Sequence, residues 1–129
     1  MTQEQKDLLL KDLCARLPYG VKGLVTFNGN IFMTQAQVED RTIDGKLYDR
    51  FAEFQDSWYD NVTIKPYLFP LSSMTREQER EWQSLMVCDI YGIFYHTIES
   101  FDYLYKNHID IRGLIPMGLA EDATDKNIY

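Results

Sequence analysis

Apolar residues near the start of the chain recur at helical intervals, with Leu10, Leu13, Cys14 and Leu17 spaced i, i+3, i+4 and i+7. That spacing predicts an amphipathic helix over residues 2–17 whose apolar stripe faces a core. Thr2 is placed to cap its start, and Pro18 and Gly20 to stop it. Asp7 with Lys11, and Asp12 with Arg16, are acid-to-base i,i+4 pairs expected on the outer face, each worth about 0.3 kcal/mol. The balanced charge favours core packing over a place on a membrane surface, where a basic polar face is usual.

From Val21 the period shortens. The runs VKGLVTF and NIFMT flank Asn28-Gly29, a pair that accepts positive φ at both turn positions, so a hairpin is predicted over Val21–Thr34. Gly23 marks a candidate bulge in its first strand. Val38 to Ile43 reads as another strand before an Asp44-Gly45 turn, and Leu47, Phe51 and Phe54 have loose helical spacing. Val62 to Leu71 is again strand-like, but Pro66 and Pro70 remove two amide donors. Such a run belongs at the edge or end of a sheet and leads out of it.

Thr75 with Gln78 has capping-box spacing and starts a helix near Arg76, with Trp82, Leu85 and Met86 as its buried stripe. Residues 87–98 fit a continued helix or a strand equally well. Phe101, Leu104, Tyr105 and His108 mark one face of a last helix capped by Ser100, and the tail with Gly113, Pro116 and Gly118 reads as turns or one short strand. The sum is an α+β fold: a small, mainly antiparallel sheet with the N-terminal helix and two later helices packed on it, in a single domain over 1–129.

Composition narrows the function classes. Acidic residues outnumber basic ones by 20 to 13, a net charge of −7, which argues against duplex nucleic acid as a partner. Cys14 and Cys88 have neither metal-ligand spacing nor a disulfide framework and read as small buried hydrophobes of a reducing compartment. Glu4 and Asp7 stand where a secretory signal would be positive, and no run approaches the roughly 20 apolar residues of a membrane span. A cytoplasmic protein with no membrane partner, metal or cofactor is expected.

His96 and His108 are the only histidines. His108 with Asp110 or Asp102 is the candidate centre of a small hydrolase, against the plainer reading of a helix-terminal imidazole favoured by the dipole. No G-x-S-x-G, H-E-x-x-H, P-loop or G-x-G-x-x-G motif is present. Ser72 and Ser73 precede a helix, where accepting backbone N–H bonds explains them without catalysis. The same helix start offers N–H groups to a phosphate, although Glu77, Glu79 and Glu81 would repel it.

A small phosphorylated ligand would draw on Lys65, Tyr67, Ser72, Ser73 and Arg112, with Arg112 alternatively paired to Asp110. Tyr91, Tyr95, Tyr103 and Tyr105 read first as core edge, then as a protein interface, then as a platform for bases.

Three blocks, LLLKDLCARLPYGVKG, IKPYLFPLSSMT and FDYLYKNHIDIRGLIPMGLAEDATDKNIY, resemble a family of small proteins of uncharacterised activity encoded by gut Bacteroidales genomes and by their phages and prophages. The resemblance implies mobile-element ancestry and a cytoplasmic life, and it carries over no catalytic residue. It leaves residues 28–61 largely uncovered. The leading expectation is a non-catalytic binding protein acting stoichiometrically on a host component, either a host protein or a small nucleotide signal. The rivals are the hydrolase and a structural subunit of a phage complex, the last implying a homo-oligomer.

Overall fold

The computed structural model describes residues 1–28, 37–53 and 61–129. The chain runs α1 (Gln3–Arg16), β1 (Lys22–Asn28), β2 (Gln37–Thr42), α2 (Gly45–Glu53), β3 (Asn61–Leu68), α3 (Arg76–Ser84), β4 (Val87–Cys88), β5 (Phe94–Tyr95), α4 (Ile98–Lys106) and β6 (Glu121–Asp122). Four strands form one sheet in the order β2-β1-β3-β6, antiparallel except for the β3–β6 pair, and β4 with β5 forms a separate hairpin. The architecture is α+β, as the hydrophobic pattern predicts, with α2 added where Leu47 and Phe51 suggest a helix.

Thr2 closes a capping box with Gln5, and α1 ends in a short 3-10 turn through Pro18 to Gly20 at φ 70°. The buried face of α1 is Leu9, Asp12, Leu13 and Arg16. This corrects the expected stripe: Cys14 is exposed, and the Asp12–Arg16 pair lies inside the molecule. Positions 9, 12, 13 and 16 repeat the same i, i+3, i+4, i+7 spacing one residue earlier, which turns the helix by about 100°. Asp12 and Arg16 pair with each other at 2.7 Å inside the molecule, which offsets the cost of burying their charges.

β1 pairs with β2 in register from Lys22↔Thr42 to Phe27↔Gln37. The Asn28-Gly29 turn and the NIFMT strand fall on 29–36, and Phe54 on 54–60, outside the described residues. Gly23 makes no bulge; its ladder runs unbroken against Arg41 and Pro66. A Cβ there would lie 3.0 Å from the Lys65 carbonyl oxygen and 3.2 Å from Ile43 Cδ1, so close approach explains the glycine. Asp44, read as part of a turn, accepts a bond from the Leu47 N–H and caps α2.

β3 pairs β1 along its length, while β6 joins its other side only at Tyr67 and Leu68. Pro66 therefore stands on the stretch of β3 that β6 does not reach, and Pro70 opens the turn toward α3, as the prolines predict. α1 and α2 cover the sheet through Leu9, Leu13, Val25, Leu47, Phe51, Val62, Ile64 and Leu68. Each of these large side chains contributes roughly 1.5–3 kcal/mol by leaving water.

Around α3 and α4 the packing is thinner. A second cluster consists of Met74, Leu104 and Ile109, edged by Phe69, Trp82, Tyr103 and Ile111. α3 itself buries no residue, so the expected stripe of Trp82, Leu85 and Met86 is not made: Trp82 is half-buried, and the other two lie past the helix end at Ser84. Thr97, not Ser100, caps α4, and Ser100 is the reciprocal partner three residues on. Residues 87–95 form the β4–β5 hairpin, and Ile98 already belongs to α4.

Candidate functional site

The predicted ligand residues divide between two parts of the fold. Lys65 and Tyr67 lie two apart on β3, which puts both side chains on one face. The exposed Lys65 Nζ is 3.9 Å from Glu121, and the Tyr67 hydroxyl donates to Asp40 at 2.5 Å. Burial and that carboxylate push the Tyr67 phenol up to about 12. Lys126 lies 5.6 Å from the Tyr67 ring centre and 3.8 Å from Glu121. Two acids and two lysines thus compensate one another around the ring.

Ser73 donates its hydroxyl to the Pro70 carbonyl, closing the turn, and Ser72 is exposed beside Leu71 and Met74. Arg112 is held elsewhere. Its Nε lies 3.4 Å from Asp12, and its Nη2 donates to the Tyr105 hydroxyl at 3.1 Å.

Arg112 belongs to a buried polar cluster that spacing alone did not reveal. Arg16 donates from Nε to one Asp12 oxygen at 2.7 Å, from Nη2 to the other at 3.2 Å, and from Nη2 to the Ile109 carbonyl at 2.6 Å. Its guanidinium also lies 5.1 Å from the Tyr105 ring centre. The Asp12 carboxylate, between two guanidiniums, joins α1 to the segment after α4. Asp110 does not pair with Arg112; its oxygens accept the Leu114 and Ile115 N–H groups at 2.9 and 3.0 Å and shape the tail turn.

His108 follows the C-cap Asn107 and has φ 59°, so it is no longer part of the helical face expected of it. Its ring stacks on Tyr129 at 3.6 Å between centroids, and the Tyr129 hydroxyl donates to the Tyr67 carbonyl while accepting from the Lys22 N–H. Burial, then the Arg16 and Lys22 charges, lowers the His108 pKa to about 4. The imidazole is therefore neutral near pH 7, and its Nδ1 is buried without a hydrogen-bond partner. Asp102 is exposed on α4, and Asp110 is committed to backbone.

A cleft of about 380 Å³ opens over the stacked rings, bordered by Phe69, Ser73, Lys106 and Asp125. Its two opposite charges and neutral imidazole select no one charge type. Among the described residues, no three His, Cys, Asp or Glu side chains are grouped to hold a metal. No helix among them is long and apolar enough to cross a membrane.

The feature that stands out is the hairpin. Val87 pairs with Tyr95, and Cys88 with Phe94. Asp89 builds the turn: its Oδ1 accepts the Tyr91 and Ile93 N–H groups at 2.8 and 3.0 Å, and its Oδ2 accepts the Tyr95 hydroxyl at 3.0 Å. The Ile93 N–H bond, followed by those from Tyr95 and Tyr91, holds the Asp89 carboxyl below the usual range. Gly92, at φ 80°, supplies the left-handed residue.

At the base, Thr97 donates to the Leu85 carbonyl at 2.6 Å, and His96 stacks on Phe101. The Tyr103 hydroxyl donates to Glu81, fastening α4 to α3.

On this braced frame the large apolar side chains point outward. Ile90 is 92% exposed, Tyr91 82% and Ile98 78%, and Ile93, Phe94 and Tyr95 are each about half exposed. Cys88, expected inside, is exposed on the same hairpin. From Glu81 to Tyr105 the charged residues are Glu81, Asp89, Glu99 and Asp102, with no lysine or arginine. Asp102 lies one helical turn from Ile98, so the two share a face of α4. The available sequence signals were the Asp89-to-Gly92 turn and this one-signed stretch of charge.

Compared with models of known protein families, with curated proteins and with solved structures, the chain matches none significantly.

Proposed function

We propose that the chain is a non-catalytic binding protein of phage or mobile-element type that acts stoichiometrically on a host protein, docking it through the β4–β5 hairpin and the start of α4. The observation that carries this reading is the outward display of Ile90, Tyr91 and Ile98 on a turn braced by Asp89. Large apolar side chains left exposed together on a polar surface are a usual mark of a contact site. A braced turn also lowers the ordering cost of binding, because little conformational freedom remains to be lost. The resemblance of the three sequence blocks to phage and prophage proteins supports the host setting, and the cytoplasm is the compartment proposed.

The nucleotide-signal version is less well supported, since Arg112 is tied to Asp12 while Lys65 and Tyr67 are tied to Glu121 and Asp40. The hydrolase version has a neutral His108 apart from a free carboxylate partner.

The test places a photoreactive p-benzoylphenylalanine at Tyr91 and, as a control, at the exposed Val38 on β2. Irradiation in Bacteroidales host cells is expected to give one dominant one-to-one adduct from position 91 and not from 38. Equal adducts from both sites, or none from 91, would contradict the docking reading. Thermal-shift measurements with cyclic and ADP-ribose nucleotides should show no change. A ligand at 100 times its Kd stabilises by about 2.7 kcal/mol, so a shift would move the function to the Lys65–Tyr67 face.

A further inference from the structure

The hairpin carries a second message in its charges, and the inference drawn from it rests on the docking reading above. We infer that the partner presents an apolar segment flanked by lysine or arginine, a cationic amphipathic stretch that seats on Ile90, Tyr91 and Ile98 and meets the exposed Glu99 and Asp102 beside Ile98. Charge complementarity singles out this occupant. Glu99 and Asp102 are exposed on α4, and between Arg80 and Lys106 the chain carries four acids and no lysine or arginine. Glu99 directly follows the exposed Ile98, and Asp102 sits one turn on.

A second copy of the chain meets the opposite situation. An isologous contact through this patch would bring Glu99 and Asp102 toward their own copies, in a molecule already carrying −7. An anionic surface is repelled in the same way. A cationic partner gains at both levels: its apolar side chains remove Ile90 and Tyr91 from water, and its cations meet Glu99 and Asp102. Rim charges act mainly on the association rate and its salt dependence, whereas buried anchors set dissociation.

These roles divide cleanly among the residues. Ile90 and Tyr91 occupy the two turn positions after Asp89 and make no side-chain bond needed for the turn, whose bonds run from Asp89 to the backbone and to the Tyr95 hydroxyl. They are free to be anchors. Glu99 and Asp102 are exposed on α4 and can be neutralised without touching the turn.

The experiment selects a random dodecapeptide display library on the wild-type protein with counter-selection against Ile90→Ser/Tyr91→Ser. Peptides that depend on the hairpin are expected to combine large apolar residues with a net positive charge. A synthetic member should bind the double variant at least about 30-fold more weakly, as loss of a central anchor pair implies. It should also lose affinity severalfold on Glu99→Gln/Asp102→Asn and with rising salt.

Hairpin-dependent binders of neutral or acidic character would overturn the cationic-partner inference and leave the docking reading standing. Failure to obtain any binder that distinguishes wild type from the double variant would overturn both. Light scattering is run on the same samples. A wild-type dimer that becomes monomeric in the double variant would assign the patch to a second copy and overturn the inference. Binding to phosphatidylcholine vesicles that the double variant loses would do so in favour of a membrane.

Discussion

The sheet with α1 and α2, and the α3–hairpin–α4 region, treat the same kinds of side chain in opposite ways. In the first, leucine, valine, isoleucine and phenylalanine from four elements and the segments beside them converge in one core, and even a charged pair, Asp12 and Arg16, is taken fully inside. In the second, Ile90, Tyr91, Ile93 and Ile98 are left in water while the local bonds go to bracing the backbone that displays them. Composition alone cannot tell these regions apart, since both are rich in large apolar residues. What separates them is whether the chain elsewhere supplies a surface to meet them.

The comparison is broken most severely by removing Asp12. Asp12→Ala leaves Arg16 buried without its carboxylate and should cost about 3–5 kcal/mol, read as a lower urea midpoint. A loss below about 1 kcal/mol would show that the cluster does not join α1 to the segment after α4 as described.

A smaller effect is expected from pH. The His108 pKa is about 4 in the folded chain against an ordinary 6.5, so between those values the unfolded chain binds the extra proton. Stability should therefore be fully present above about pH 6.5 and fall as the pH drops toward 4. After allowance for partial exposure the loss is roughly 1–2 kcal/mol. His108→Asn, which tolerates the positive φ, should flatten that slope in melting curves taken from pH 7 to pH 4. An unchanged slope would assign the acid sensitivity to other groups.

Much of the sheet region was legible because its signals are local and repeated. Val38 to Ile43, the Leu47–Phe51 spacing, the prolines of β3 and the Thr2 and Thr75 caps each announce an element through a few neighbouring residues. The rotation of α1 was not legible. Leu9-Asp12-Leu13-Arg16 and Leu10-Leu13-Cys14-Leu17 obey one spacing, and the choice depends on the Ile109 carbonyl and Arg112, far along the chain.

The hairpin escaped periodicity for a different reason: strands of two residues are too short to show a period of two. Its apolar residues also look like core until three dimensions show nothing among the described residues covering them. The candidate ligand residues were each plausible singly. Only geometry shows Arg112 held apart from Lys65 and Tyr67 by different partners.

The smallest expected effect on stability is also the most telling. Ile90→Ser/Tyr91→Ser should change the unfolding free energy by no more than about 0.5 kcal/mol, because surface positions away from packing and caps contribute little. The most direct test of the account measures, on that one double variant, both the urea unfolding free energy and the affinity for a peptide selected on the wild-type hairpin. The account predicts unchanged stability with affinity lost by at least about 30-fold. A core-sized loss of stability, or an affinity equal to wild type, would contradict it.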